Sequence, residues 1–225
     1  MKILALDTST EFCSVALWRD GEVGARDVRA GQRHSELLLP MVDELLQHHG
    51  LAVKDLDGLA FGEGPGSFTG LRIACGVTQG LAFGANLPVV GVSTLLALAE
   101  AARAERAVCC IDARMGEIYH AAYARNGLKW ETVHAPGLHA PAEAPPLPEG
   151  SWTGCGSGFA AHGAVLRQCY AGRLSAIMPE VFPHARDIVR LAVREFEAGR
   201  AVSAEQAVPV YIRDKVALKS HERTA

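Results

Sequence analysis

Apolar positions along this chain switch between a two-residue and a roughly four-residue period, and the switches mark its elements. Lys2 to Leu6 is a short apolar run that stops at Asp7, the pattern of a buried strand. Cys13 to Trp18 predicts a second strand, Asp20-Gly21 a hairpin turn, and Val23 to Arg29 a third strand. Helical spacing then takes over from Ser35 to His48 and ends at Gly50. Asp57 to Phe61 predicts a short strand, Thr69 to Phe83 a second helix, Pro88 to Val92 a strand and Thr94 to Arg103 a third helix.

The pattern then restarts. Ala107 to Ile111 is an apolar strand ending at Asp112, Ala113-Arg114-Met115-Gly116 is a turn, Ile118 to Ala124 is a strand, and Asn126-Gly127 is a hairpin signal. The spacings, 105 residues from Asp7 to Asp112 and 106 from Asp20 to Asn126, agree within one. An ordered set of strand, Asp, turn, strand and hairpin that recurs at one spacing predicts an internal duplication. The break falls near Arg103-Ala104-Glu105-Arg106, giving subdomains 1–103 and 104–225. His134 to Gly150 carries five prolines and is expected to be a stiff surface loop. Trp152-Thr153 leads through Gly154-Cys155-Gly156-Ser157-Gly158 into a helix from Phe159 to Cys169, and a last helix runs from His184 to Glu197. After Pro209-Val210-Tyr211-Ile212-Arg213 the residues are polar and expected to be loose.

Two kinds of chemistry are suggested by this layout. Gly62-Glu63-Gly64-Pro65-Gly66-Ser67-Phe68-Thr69-Gly70 is a tight turn at a helix N-terminus, with Ser67 or Thr69 as cap. It is either an anion seat of backbone amides or a device that starts a close-packing helix. Asp7 and Asp112, each at the end of a duplicated strand, suit an actin-like nucleotide cleft in which facing carboxylates hold a hydrated metal. Phosphate-clasping turns need Gly beside the Asp, and here Thr8-Ser9 and Ala113-Arg114 follow instead. Asp7, Thr8, Ser9 and Asp112 therefore read as vestigial phosphate turns that cap an inherited scaffold. The Gly154–Gly158 run lacks the dinucleotide spacing and reads as a plain strand-to-helix turn.

Composition narrows the classes. The 225 residues are 49% hydrophobic and 21% charged, enough for a full core. A formal net charge of -3 makes a stand-alone nucleic-acid binder a poor fit. Six scattered cysteines without a C-x-x-C pair suggest buried reduced thiols in a cytoplasmic protein, and no apolar run approaches a signal segment or a membrane span. The nine histidines give no metal-ligand spacing, and no nucleophile has an evident base.

Two helices are unusual in composition. Leu37, Leu38, Leu39, Met41, Val42, Leu45 and Leu46 cover about 200° of the first helix, against about 100° for a one-sided helix. Gly76, Gly80 and Gly84 form a bare ridge on the second, although each costs about 1 kcal/mol of helix stability relative to Ala. Such a ridge serves close packing, on the chain's own sheet or on a partner. The interface residues expected are Leu38, Met41, Leu45, Gly76, Gly80 and Gly84.

Ile3-Leu-Ala-Leu-Asp7-Thr-Ser-Thr, Gly64-Pro-Gly-Ser-Phe-Thr-Gly-Leu-Arg72, Asp112-Ala-Arg114 with Glu117-Ile-Tyr119, and Pro209-Val-Tyr-Ile-Arg213 together resemble the TsaB family, also called YeaZ, over essentially the whole chain. The resemblance implies a duplicated actin-like (ASKHA, ribonuclease H-like) α/β fold with a mixed sheet in each subdomain. It implies a non-catalytic subunit in making threonylcarbamoyladenosine beside the anticodon of tRNAs. The partners implied are a TsaD-like catalytic subunit and a TsaE-like ATPase, with tRNA reached through the complex and a homodimer as the alternative state of the lone chain. The catalytic relatives carry two histidines four apart where this chain has Thr94 and Leu98. No catalytic or metal-binding residue is therefore expected, and no cofactor held by the chain alone; ATP or ADP at a joint interface stays open. The alternative is an ATP-dependent phosphotransferase using Asp7 and Asp112.

Overall fold

The chain builds one supersecondary unit twice. In this computed structural model, which describes residues 1–213, β1 (Lys2–Asp7), β2 (Phe12–Arg19), β3 (Glu22–Arg29), β4 (Gly58–Gly64) and β5 (Val89–Ser93) form one mixed sheet in the order β3-β2-β1-β4-β5. The second sheet, of β6 (Arg106–Arg114), β7 (Glu117–Asn126), β8 (Lys129–His139), β9 (Trp152–Cys155) and β10 (Leu174–Met178), has the order β10-β9-β6-β7-β8, which is the same order read from its other edge. In each sheet three strands form an antiparallel meander and two join it in parallel. Asp20 and Gly21 both take positive φ at the first hairpin, as a tight two-residue turn between right-twisted strands requires.

The helices repeat as well, with one exception. α2 (Phe68–Ala85) joins β4 to β5 as α4 (Ser157–Cys169) joins β9 to β10. α3 (Thr94–Ala102) follows the first sheet as α5 (Ala185–Glu197) follows the second. α1 (His34–His48) has no counterpart, because Pro141, Pro145, Pro146 and Pro148 leave only a single 3-10 turn between β8 and β9.

Side-chain alternation sorts the cores. Leu4, Leu6, Val15, Leu17, Leu59 and Phe61 face α1 and α2, whereas Ile3, Ala5, Ala16 and Ala60 face α5. In the second sheet Ala107, Cys109 and Ile111 face α3, while Val108 and Cys110 face α4. Each subdomain therefore lends its last helix to the other, and α3 and α5 lie together between the sheets. The strands divide between Arg103 and Arg106, but α5 and residues 201–213 cross back to the first half. This is the duplicated actin-like α/β architecture.

Two elements depart from expectation. Lys129–His139 is an edge strand where the proline-rich loop was expected to begin. Pro136 is tolerated because the β7–β8 register skips there, between His120↔Gly137 and Ala122↔His134. Leu174–Met178 is a short, half-exposed edge strand with a bulge, too irregular for its alternation to show. The loop between β8 and β9 is also less peripheral than expected, since Leu147 is buried beneath it against Trp152 and Tyr170. The polar stretch after Arg213 lies outside the described residues.

Candidate functional site

Both glycine runs do the same mechanical work. Each lets a helix N-terminus settle on the aspartate-bearing strand end of its own half. A Cβ at Gly66 would lie 2.5 Å from the Ser9 carbonyl oxygen, and one at Gly70 would overlap the carbonyl oxygen of Thr8. The Thr8 hydroxyl donates to the Gly70 carbonyl at 2.6 Å. In the second half, a Cβ at Gly158 would lie 2.6 Å from that of Cys110, and one at Gly156 2.5 Å from the Cys110 carbonyl oxygen. Between the two capping candidates of the first run, Ser67 is the one used: its Oγ accepts from the Gly70 amide at 3.2 Å.

The same contacts engage two of the amides that a phosphate seat would use. The Ser67 amide donates to Ser9 O at 2.8 Å, and the Gly70 amide is taken by its cap. Gly62 lies so close to Asp7 that a Cβ there would overlap Oδ1. Asp7 itself is fully buried; Ser9 Oγ donates to Oδ2 at 3.0 Å, and Oδ1 has no partner. Burial is the chief cause that pushes its carboxyl up to about 7, against the smaller opposing pull of Ser9. A carboxyl that is half neutral at pH 7 and sealed under Gly62 is a poor metal ligand. Asp112 is reached by solvent but already engaged: Oδ1 accepts from the Arg114 amide and Oδ2 from its guanidinium, both at 3.0 Å. Asp7 is sealed and Asp112 is paired with Arg114, so the two do not form an open carboxylate pair.

Asp7 sets a pH dependence with a definite sign. Its folded pKa is above its unfolded value, so its contribution to stability is fully present below about pH 4 and is lost as pH rises through about 7. His120 acts in the opposite sense: burial first, then the neighbouring His139 and His134, push it down to about 3, and its contribution is lost as pH falls below 6.5. We expect Asp7→Asn to gain on the wild type by up to about 4 kcal/mol at pH 8 and by little at pH 4. Urea unfolding at the two pH values measures this; equal differences at both would contradict it.

The helix faces resolve differently. Leu38, Met41 and Leu45, expected at an interface, are buried in the chain's own core with Val42 and Leu46. They form the one stripe of α1 that meets the sheet, so they are not available to a partner. On α1 the apolar excess reduces to Leu39, 50% exposed, and half-buried Leu37. The ridge on α2 is the reverse case. Gly76, Gly80 and Gly84 are all exposed, and a Cβ at any of them would meet nothing within 4 Å. Among the described residues, nothing packs on them. Arg72 flanks the ridge at one end, with its guanidinium 3.7 Å from the centre of the Phe68 ring, and Phe83 flanks it at the other, 71% exposed.

Thr94 and Leu98 are both buried packing residues. The Thr94 hydroxyl donates to the Pro65 carbonyl, and Leu98 Cδ2 presses on Gly156. The cysteines are free thiols, five buried and Cys169 exposed. Sequence reading missed a histidine group: His134 and His139 on β8 lie 6.0 and 5.6 Å, ring to ring, from buried His120 on β7. Only strand pairing brings them together. Among the described residues, no group of three or more His, Cys, Asp or Glu is arranged to hold a metal ion, and no helix is long and apolar enough to cross a membrane.

A chain with two glycine-docked aspartate turns on a duplicated frame invites comparison with known proteins. The sequence model of a family described as "TsaD: tRNA N6-adenosine threonylcarbamoyltransferase" matches residues 27–220. The Escherichia coli protein named "tRNA threonylcarbamoyladenosine biosynthesis protein TsaB" is 41% identical, with 97% of each chain covered. Its Haemophilus influenzae namesake is 38% identical, over 97% of this chain and 96% of that one. This chain belongs to the TsaB family. A solved structure titled "YeaZ from Pseudomonas aeruginosa" superposes on the TsaB-family chain with a TM-score of 0.86 at 41% identity, covering 93% of this chain and 99% of the other. Against these relatives the two glycine runs, the buried Asp7 and the open ridge of α2 are the features of the TsaB-family chain that call for a functional account.

Proposed function

We propose that this chain is the non-catalytic scaffold subunit of the bacterial machinery that makes threonylcarbamoyladenosine in tRNA, and that it holds a TsaD-family catalytic subunit against the outer face of α2. The observation that carries the reading is the exposed ridge of Gly76, Gly80 and Gly84, on which nothing packs among the described residues. Three glycines in one helix cost stability, and among the described residues no contact offsets it. A partner helix that approaches the bare backbone closely does. Arg72 and Phe83 at the two ends are residue types that anchor such contacts. The names of the relatives supply the pathway. The engaged state of Asp7, Asp112, Thr94 and Leu98 supports assigning the chemistry to the partner, with any ATP or ADP at the joint surface and a TsaE-like ATPase joining there. A homodimer through the same ridge is the resting state that the partner displaces.

Co-purification tests the reading. The tagged chain is expected to retain the TsaD-family subunit of its own organism through size exclusion as one complex, whereas the lone chain is expected to elute as a dimer. Separate elution of the two subunits at micromolar concentration would overturn the proposal.

A further inference from the structure

We infer that residues 207–213 form a strap that carries the state of the outer face of α2 across to the hairpin bearing Asp112. The strap starts on the first half. The Ala207 carbonyl accepts from Gln79 Nε2 at 2.8 Å and from Cys75 Sγ at 3.3 Å, both on α2. The Val210 amide donates to the Glu63 carbonyl at 2.7 Å, and the Val210 carbonyl oxygen lies 2.6 Å from where a Cβ of Gly64 would be. Tyr211 then meets the end of the ridge: its hydroxyl accepts from Arg72 Nε at 2.9 Å, and its ring lies 5.4 Å from that of Phe68. Within two residues the chain has crossed over. Ile212 packs into the core beneath the second sheet, and Arg213 reaches the β6–β7 turn.

Arg213 grips a turn that does not hold itself easily. Arg114 and Met115 are consecutive non-glycine residues with φ of 63° and 55°. Such residues are strained and persist only where their surroundings fix them. Arg213 Nη2 donates to the carbonyls of Ala113 at 3.0 Å and Arg114 at 3.4 Å and pairs with Glu117 at 2.7 Å, while Nη1 lies 3.0 Å from Met115 Sδ. In that turn geometry the Arg114 amide points at Asp112 Oδ1. A continuous run of bonds thus leads from Arg72, an outward residue beside the ridge, through Tyr211 and Arg213, to the carboxylate of Asp112. An occupant of the ridge touches the residue that holds Tyr211, and the hairpin is the element that answers.

The strap requires no partner to be tested, so its failure is distinct from failure of the scaffold reading. Hydrogen–deuterium exchange of the full chain is measured by mass spectrometry for wild type, Tyr211→Ala and Tyr211→Phe. Tyr211→Ala is expected to speed exchange about tenfold in peptides covering Asp112 to Ile118, besides those covering Glu63 to Arg72, while β9 is unchanged. Tyr211→Phe keeps the ring and loses only the bond from Arg72, so it decides the matter should the alanine variant unfold. It is expected to give a smaller rise in the same two places. By reciprocity, Arg213→Gln is expected to speed exchange at Ser67 to Arg72. Changes confined to the half that carries each substitution's own contacts would overturn the strap.

Discussion

Gly70→Ala is expected to be among the most damaging single-methyl changes in this chain, costing about 3 kcal/mol or more and leaving most of the protein insoluble. Its Cβ would overlap the carbonyl oxygen of Thr8, whose hydroxyl is bonded back to the Gly70 carbonyl. The helix cannot move away, because the Ser67 amide holds the Ser9 carbonyl one turn earlier. Backbone pressed on backbone has no rotamer by which to escape, so the strand end at Asp7 and the start of α2 must separate. Thermal unfolding of the soluble fraction measures the loss. A variant that melts within 2 °C of wild type would show that the two turns are not locked together.

The same substitution one turn and a half later should have the opposite sign. Gly76→Ala, Gly80→Ala and Gly84→Ala each add a Cβ that meets nothing within 4 Å among the described residues, so each is expected to raise the stability of the monomer, measured at concentrations too low for self-association, by about 0.5–1 kcal/mol. Gly80→Leu should be at least as stable as the wild-type monomer, compared at concentrations too low for self-association, and yet disable the subunit. A leucine side chain standing on the ridge holds a partner backbone several ångströms off, and the loss in affinity for the TsaD-family subunit is expected to exceed a hundredfold. A gain in stability together with a loss of binding marks a surface kept bare for contact, which general misfolding cannot imitate.

Much of this was legible in the residues. The duplicated strand–Asp–turn–strand units, the Asp20-Gly21 hairpin and the helices all stand near their expected bounds, because alternation and turn chemistry are local signals. The orientation of the helices was not legible. Leu37, Leu38 and Leu39 are chemically alike and adjacent, yet one is half-buried, one buried and one exposed. Composition sets how apolar α1 is, but only the position of the sheet selects which leucine it receives. Glycine has the same ambiguity: Gly70 answers to Thr8, which is distant in the chain, and Gly76 answers to nothing among the described residues. The swap of α3 and α5 between halves, the histidine group at His120 and the strap from Ala207 to Arg213 are all products of long-range pairing that no window of sequence contains.

The outer face of α2 is proposed as the surface through which this chain does its work. Titration calorimetry of the TsaD-family subunit into wild-type chain and into Gly80→Leu, each first shown to be folded by its melting curve, tests it most directly. Wild type is expected to bind tightly and one to one, and an equally stable variant at least a hundredfold more weakly. Equal affinities for the two would contradict it.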